Sequence, residues 1–140
     1  MTKILKDRTE VRVRFGEVDS MGIVWHGNYV KYIEEGRESF GHKYGISYLD
    51  IYANNVMAPV VKMNIDFKKQ VQYGDRLIIE TEYNDTEAAK IIFSYKIFRK
   101  KDNELMATAS TTQVFIDLEH KMLLYPPEFA LEWKKKVGLL

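Results

Sequence analysis

The sequence predicts an α+β fold in which one long amphipathic helix lies against an antiparallel sheet of about five strands. Three observations predict it. A segment from about Asn28 to about Tyr44 repeats apolar residues at helical spacing. The chain beyond Met57 alternates apolar and polar residues in runs separated by short polar turns. No internal repeat, low-complexity tract or linker divides the 140 residues, so 1–140 reads as a single domain long enough to bury a core.

Val11, Val13 and Phe15 alternate with Arg12 and Arg14, which predicts a first strand with one wet face. The helix follows, with Tyr29, Ile33, Gly36, Phe40 and Tyr44 on one side and Asn28, or a residue just before it, as a candidate N-cap. Gly36 in its middle costs about 1 kcal/mol relative to alanine. That cost makes sense where another backbone approaches, and Ala107 and Ala109 of the last strand supply small residues for such a groove.

The runs Met63-Ile65-Phe67, Leu77-Ile79-Thr81-Tyr83, Ile91-Phe93-Tyr95-Ile97 and about Leu105 to Ile116 give four more strands. Turns are expected at Tyr73-Gly74-Asp75, Asn84 to Glu87 and Lys101-Asp102-Asn103, so the last three strands form a meander. Pro126-Pro127-Glu128 starts a short C-terminal helix with Phe129, Trp133 and Val137 on its apolar side. Lys134 to Lys136 suit the negative end of that helix.

Composition excludes several classes of function. With 21 Lys+Arg against 20 Asp+Glu there is no basic excess of the kind a nucleic-acid partner needs. No cysteine is present, which removes disulfides, thiolate nucleophiles and Cys-based metal sites. The polar start MTKILKDRTEVRVRF has no signal-peptide core, and no apolar run reaches the roughly 18 residues of a membrane span. The expectation is a soluble cytoplasmic protein. His26, His42 and His120 stand far apart in sequence and suggest no metal site. Phosphate-binding loops, the GxSxG elbow and HExxH are all absent.

The chemistry gathers between Phe15 and Arg37, in FGEVDSMGIVWHGNYVKYIEEGR. Asp19 sits in a glycine-containing loop that opens into the helix near Asn28. A carboxylate there can activate water or attack a carbonyl, while unpaired N–H groups at the helix start hold an oxyanion. Read alone, Asp-Ser-Met-Gly is also an ordinary turn.

The spacing of Asp19, Gly22, Val24, Trp25, His26 and Tyr29, followed by an acidic helix ending in Arg37, resembles the 4-hydroxybenzoyl-CoA thioesterase-like family of hotdog-fold acyl-CoA thioesterases. The segment Pro59 to Phe67 followed by Gly74-Asp75-Arg76-Leu77 looks like that family's second strand and the turn after it. The resemblance spans most of the chain. It implies a hotdog fold and hydrolysis of an acyl-CoA thioester to an acid and free coenzyme A, a reaction that needs no cofactor.

By the same resemblance Asp19 is the catalytic carboxylate, as general base or as nucleophile. His26 would bond the thioester carbonyl or orient water, and Trp25 and His26 would lend their backbone N–H groups to the oxyanion. Glu34 falls at the family's acidic helix position, in a supporting role. Lys62 and Lys90 are the candidate contacts for coenzyme A phosphates, lysine being a natural phosphate partner. A homodimer or homotetramer is implied, with each active site built between two chains. Alternatives are an acyl carrier protein thioesterase and a non-catalytic acyl-CoA-binding module.

Overall fold

The computed structural model describes residues 3–140. Its chain order is β1 (Leu5–Arg12), α1 (Tyr29–Tyr44), α2 (Tyr48–Tyr52), β2 (Val56–Met57), β3 (Val60–Phe67), β4 (Arg76–Asn84), β5 (Lys90–Arg99), β6 (Glu104–Val114), β7 (Ile116–Asp117) and α3 (Glu128–Lys136). Five strands form one antiparallel sheet in the order β1-β4-β5-β6-β3, and β2 pairs with β7 as a separate ribbon. The expected α+β plan, the long helix and the β4-β5-β6 meander are all present.

One face of the sheet is the core. Leu77, Ile79, Thr81 and Tyr83 of β4 and Ile91, Phe93, Tyr95 and Ile97 of β5 are buried under α1. Phe40 of α1 packs edge-on to Phe93 at 5.0 Å, and Tyr83 packs edge-on to Trp133 of α3 at 5.1 Å. Gly45 closes α1 in the left-handed region, φ 76°, a conformation that glycine adopts without steric cost. The Trp133 indole N–H donates to the Tyr44 carbonyl at 2.7 Å and ties α3 to that end.

Several details depart from the sequence reading. The first strand begins at Leu5 and stops at Arg12. Phe15 leaves the strand in a short 3-10 turn, 77% exposed, with its ring edge-on to Tyr73. Gly36 does not meet Ala107 and Ala109. A β-carbon there would lie 2.6 Å from both Ile79 Cγ2 and Thr81 Oγ1 of β4, because α1 crosses the β1–β4 half of the sheet. Lys134 does not face solvent at the helix end. It is buried, 2.8 Å from Asp85 and donating to the Thr86 carbonyl, so its cation has a partner inside.

The short α2 was not anticipated. Its cap is legible afterwards: Ser47 Oγ accepts from Asp50 N–H while Asp50 Oδ2 accepts from Ser47 N–H, a reciprocal box.

The two sheet edges differ. On β1 the Lys6 carbonyl accepts from Lys43 Nζ and Tyr44 Oη, so α1 covers part of that edge. β3 carries a bulge between Val60 and Lys62, has no strand beyond it among the described residues, and leaves Val61 and Phe67 exposed.

Candidate active site

The loop between β1 and α1 is closed by its own backbone. Asp19 N–H donates to the Ile23 carbonyl at 2.8 Å, Gly22 N–H donates back to the Asp19 carbonyl at 3.0 Å, and Val18 bridges Val24. Gly22 adopts φ 76°, which only glycine takes readily. Asp19 Oδ1 accepts from Met21 N–H (2.8 Å) and Ile23 N–H (3.2 Å). Its Oδ2 has no hydrogen-bond partner among the described residues, and the side chain is exposed. One oxygen is therefore fixed by the loop and the other is open to a reacting water or carbonyl.

The start of the helix decides which amides are available. Trp25 N–H donates to the Glu17 carbonyl at 3.1 Å, so the expected Trp25 donor is already engaged. His26 and Gly27, the first residues of a short 3-10 turn leading into α1, have backbone N–H groups with no acceptor among the described residues. These two, rather than Trp25 and His26, are the free donors. The Trp25 ring lies over Gly27, so a β-carbon there would displace the exposed ring. His26 is exposed, its ring 4.9 Å from Trp25 and 6.3 Å from Phe67.

Asn28 caps nothing with its side chain. Its backbone is already helical, and its Nδ2 instead donates to the Glu17 carbonyl at 2.9 Å. Tyr32, one turn further on, donates its hydroxyl to Glu17 Oε1 at 3.0 Å. Burial, and after it the neighbouring Glu17, pushes the Tyr32 phenol up, so it stays a donor at neutral pH. Sequence reading missed Glu17, whose position two residues before Asp19 in a polar turn gives no sign of four incoming hydrogen bonds.

A second feature lies further along α1. A cavity of about 620 Å³, within the range of small-molecule sites, is bounded by Glu34, Arg37 and His42 of α1, Ile91 and Phe93 of β5, and Gln113 of β6. His120 also lines it, so the fold brings together two histidines that are far apart in sequence. No group of three His, Asp or Glu among the described residues is arranged to hold a metal.

In one chain Asp19 does not line this cavity, so Glu34 and Asp19 stand at separate places. Lys62 and Lys90 are exposed, beside Thr112 and Val114 on the face of the sheet turned away from α1. Lys62 is five residues before Phe67, or roughly 16 Å along β3 from the His26 end. A single chain therefore brings neither lysine to Asp19.

Residues 13–134 match the family model described as the thioesterase-like superfamily. The chain belongs to that superfamily. YneP of Bacillus subtilis is 34% identical over 112 residues, covering 80% of each chain. The acyl-CoA thioester hydrolase YbgC of Escherichia coli is 27% identical over 129 residues, 91% of this chain and 96% of that one. Among solved structures, a DHNA-CoA thioesterase from Staphylococcus aureus superposes with a TM-score of 0.82 at 30% identity, covering 95% of this chain and 91% of that one. The hotdog architecture and the thioesterase membership expected from the Phe15–Arg37 motif are thus established. Among the described residues no helix is long and apolar enough to cross a membrane.

Proposed function

We propose that the chain hydrolyses an acyl-CoA thioester, with Asp19 as the reacting carboxylate. One observation carries the reading: a carboxylate with one oxygen unpartnered shares a closed loop with two unpaired amides at a helix start. Asp19 Oδ2 takes a proton from water as the oxygen attacks the thioester carbonyl. The His26 and Gly27 N–H groups receive the oxyanion, supported by the positive end of α1. Collapse of the intermediate breaks the C–S bond, and the proton returns to the departing coenzyme A thiolate. In the nucleophilic variant Asp19 attacks directly and water then cleaves the mixed anhydride. His26 stands beside this site, with its ring free to orient water.

The acyl group would occupy the cavity between α1 and β5–β6, with Glu34 at its wall. A second copy brings that cavity to the loop. If β3 pairs antiparallel with its counterpart, the Phe67 end of one chain meets the Val60 end of the other. Each Asp19 loop then faces the other chain's cavity, and Lys62 and Lys90 lie behind it on the opposite face of the sheet. The uncovered, partly apolar β3 edge supports such pairing. Sedimentation at micromolar concentration should show a dimer or tetramer, and a monomer alone would sink the shared site. Release of free thiol from benzoyl-, hexanoyl- and lauroyl-CoA tests the activity itself. No release from any of them, with tight acyl-CoA binding retained, would favour a binding module.

A further inference from the structure

The Asp19 side chain makes no hydrogen bond to α1; both bonds to its Oδ1 come from within the loop. Its position relative to the His26 and Gly27 amides is therefore set through the loop backbone, and the loop meets the helix start at Glu17. The Glu17 carbonyl accepts from Trp25 N–H (3.1 Å) and Asn28 Nδ2 (2.9 Å), while its Oε1 accepts from Arg14 N–H (2.9 Å) and Tyr32 Oη (3.0 Å). Asn28, the helical residue just before α1, and Tyr32 of α1 are both buried and four residues apart, so they face the loop from one side of the helix. Ile33 and Phe40, fully buried, fix that helix to the sheet.

We propose that Glu17 is a positioning residue for the hydrolysis. Gripped by Asn28 and Tyr32, it sets the register between the Asp19 carboxylate and the two free amides. It also occupies the Trp25 N–H, which leaves His26 and Gly27 as the oxyanion donors. The proposal rests on the reading of Asp19 as the reacting carboxylate. Loss of one anchor shifts the loop without removing any reacting group, and a misplacement of about 1 Å costs on the order of a hundredfold in rate.

The test is a set of variants assayed on the fastest substrate among benzoyl-, hexanoyl- and lauroyl-CoA, at a temperature where each is shown by circular dichroism to be folded. Tyr32→Phe removes one anchoring hydroxyl and should lower kcat about tenfold, with KM changed by less than about threefold. Glu17→Ala should lower kcat at least as far. Glu17→Gln keeps an oxygen for Arg14 N–H and Tyr32 Oη and should restore most of what Glu17→Ala loses. Placed in an Asp19→Asn background, Tyr32→Phe should change the residual kcat by less than about twofold, because there is no carboxylate left to position.

An equal loss in both backgrounds would show a merely structural role and overturn the proposal. So would folded Tyr32→Phe and Glu17→Ala enzymes with undiminished kcat. If Asp19→Asn alone keeps full kcat, the assignment of Asp19 fails and the proposal fails with it. If Asp19→Asn is slow but both Glu17 and Tyr32 are dispensable, the proposal alone fails.

Discussion

The contact between α1 and β4 and the loop carrying Asp19 use opposite means to hold their shape. Under α1, Gly36 lies so close to Ile79 and Thr81 that a β-carbon would sit 2.6 Å from each. There, close packing of apolar side chains decides the geometry, and strict alternation along β4 and β5 supplies them. The loop buries Val24 but few other side chains. Phe15, Met21 and Trp25 are exposed, and the backbone is held by hydrogen bonds converging on Glu17, by the Asp19 carboxylate capping its own turn, and by backbone bonds linking Gly22 and Val24 to residues 71–73. The difference teaches where substitutions will act. Changes in the first region should appear as stability, and changes in the second as turnover.

The largest effect should come from Asp19→Asn. Asparagine keeps an oxygen to accept from Met21 and Ile23 N–H, so the loop and the melting temperature should survive. Turnover should fall roughly 10²–10⁴-fold for a general base, and further for a nucleophile. Single-turnover hydrolysis in ¹⁸O-water separates the two, since label entering the Asp19 side chain requires an anhydride. A folded Asp19→Asn enzyme with full activity would falsify the assignment.

Phe40→Ala tests the other region. Phe40 is fully buried against Tyr44 and Phe93, and truncation should cost about 3–5 kcal/mol in denaturant unfolding. A smaller loss, under about 1 kcal/mol, would mean that the helix is not seated as described.

Gly36→Ala is a sharper probe of the same contact. On propensity alone, alanine should stabilise a helix by about 1 kcal/mol. Against the stiff, β-branched Ile79 and Thr81 it should instead destabilise by about 1–3 kcal/mol. The sign of the change decides between the two.

The smallest effect on stability is expected at Trp25. Its ring is 58% exposed, so Trp25→Ala should move unfolding by no more than about 0.5–1 kcal/mol. It uncovers Gly27 beside the proposed oxyanion site, and kcat/KM should fall by a larger factor than stability suggests. Equal, small changes in both would remove Trp25 from the site.

The sequence by itself determined the parts that depend on period and on local backbone chemistry. Helical spacing from Tyr29 to Tyr44 and two-residue alternation along β4 and β5 mark faces that must be buried, because burial is the dominant favourable term in folding. The loop was legible because Asp19, Gly22 and the residues up to Tyr29 stand at the spacing of a known motif. Its closure then followed from short-range bonds between Asp19, Met21, Gly22 and Ile23.

Only the tertiary structure decided what depends on distant segments meeting. It placed Gly36 over β4 rather than β6, buried Lys134 against Asp85, and set Lys62 and Lys90 away from Asp19. It also gathered Trp25, Asn28 and Tyr32 onto Glu17. The physical reason is common to all four. Periodicity fixes which face of an element is covered, while the element that covers it depends on how helix and sheet cross, and no residue spacing encodes that crossing.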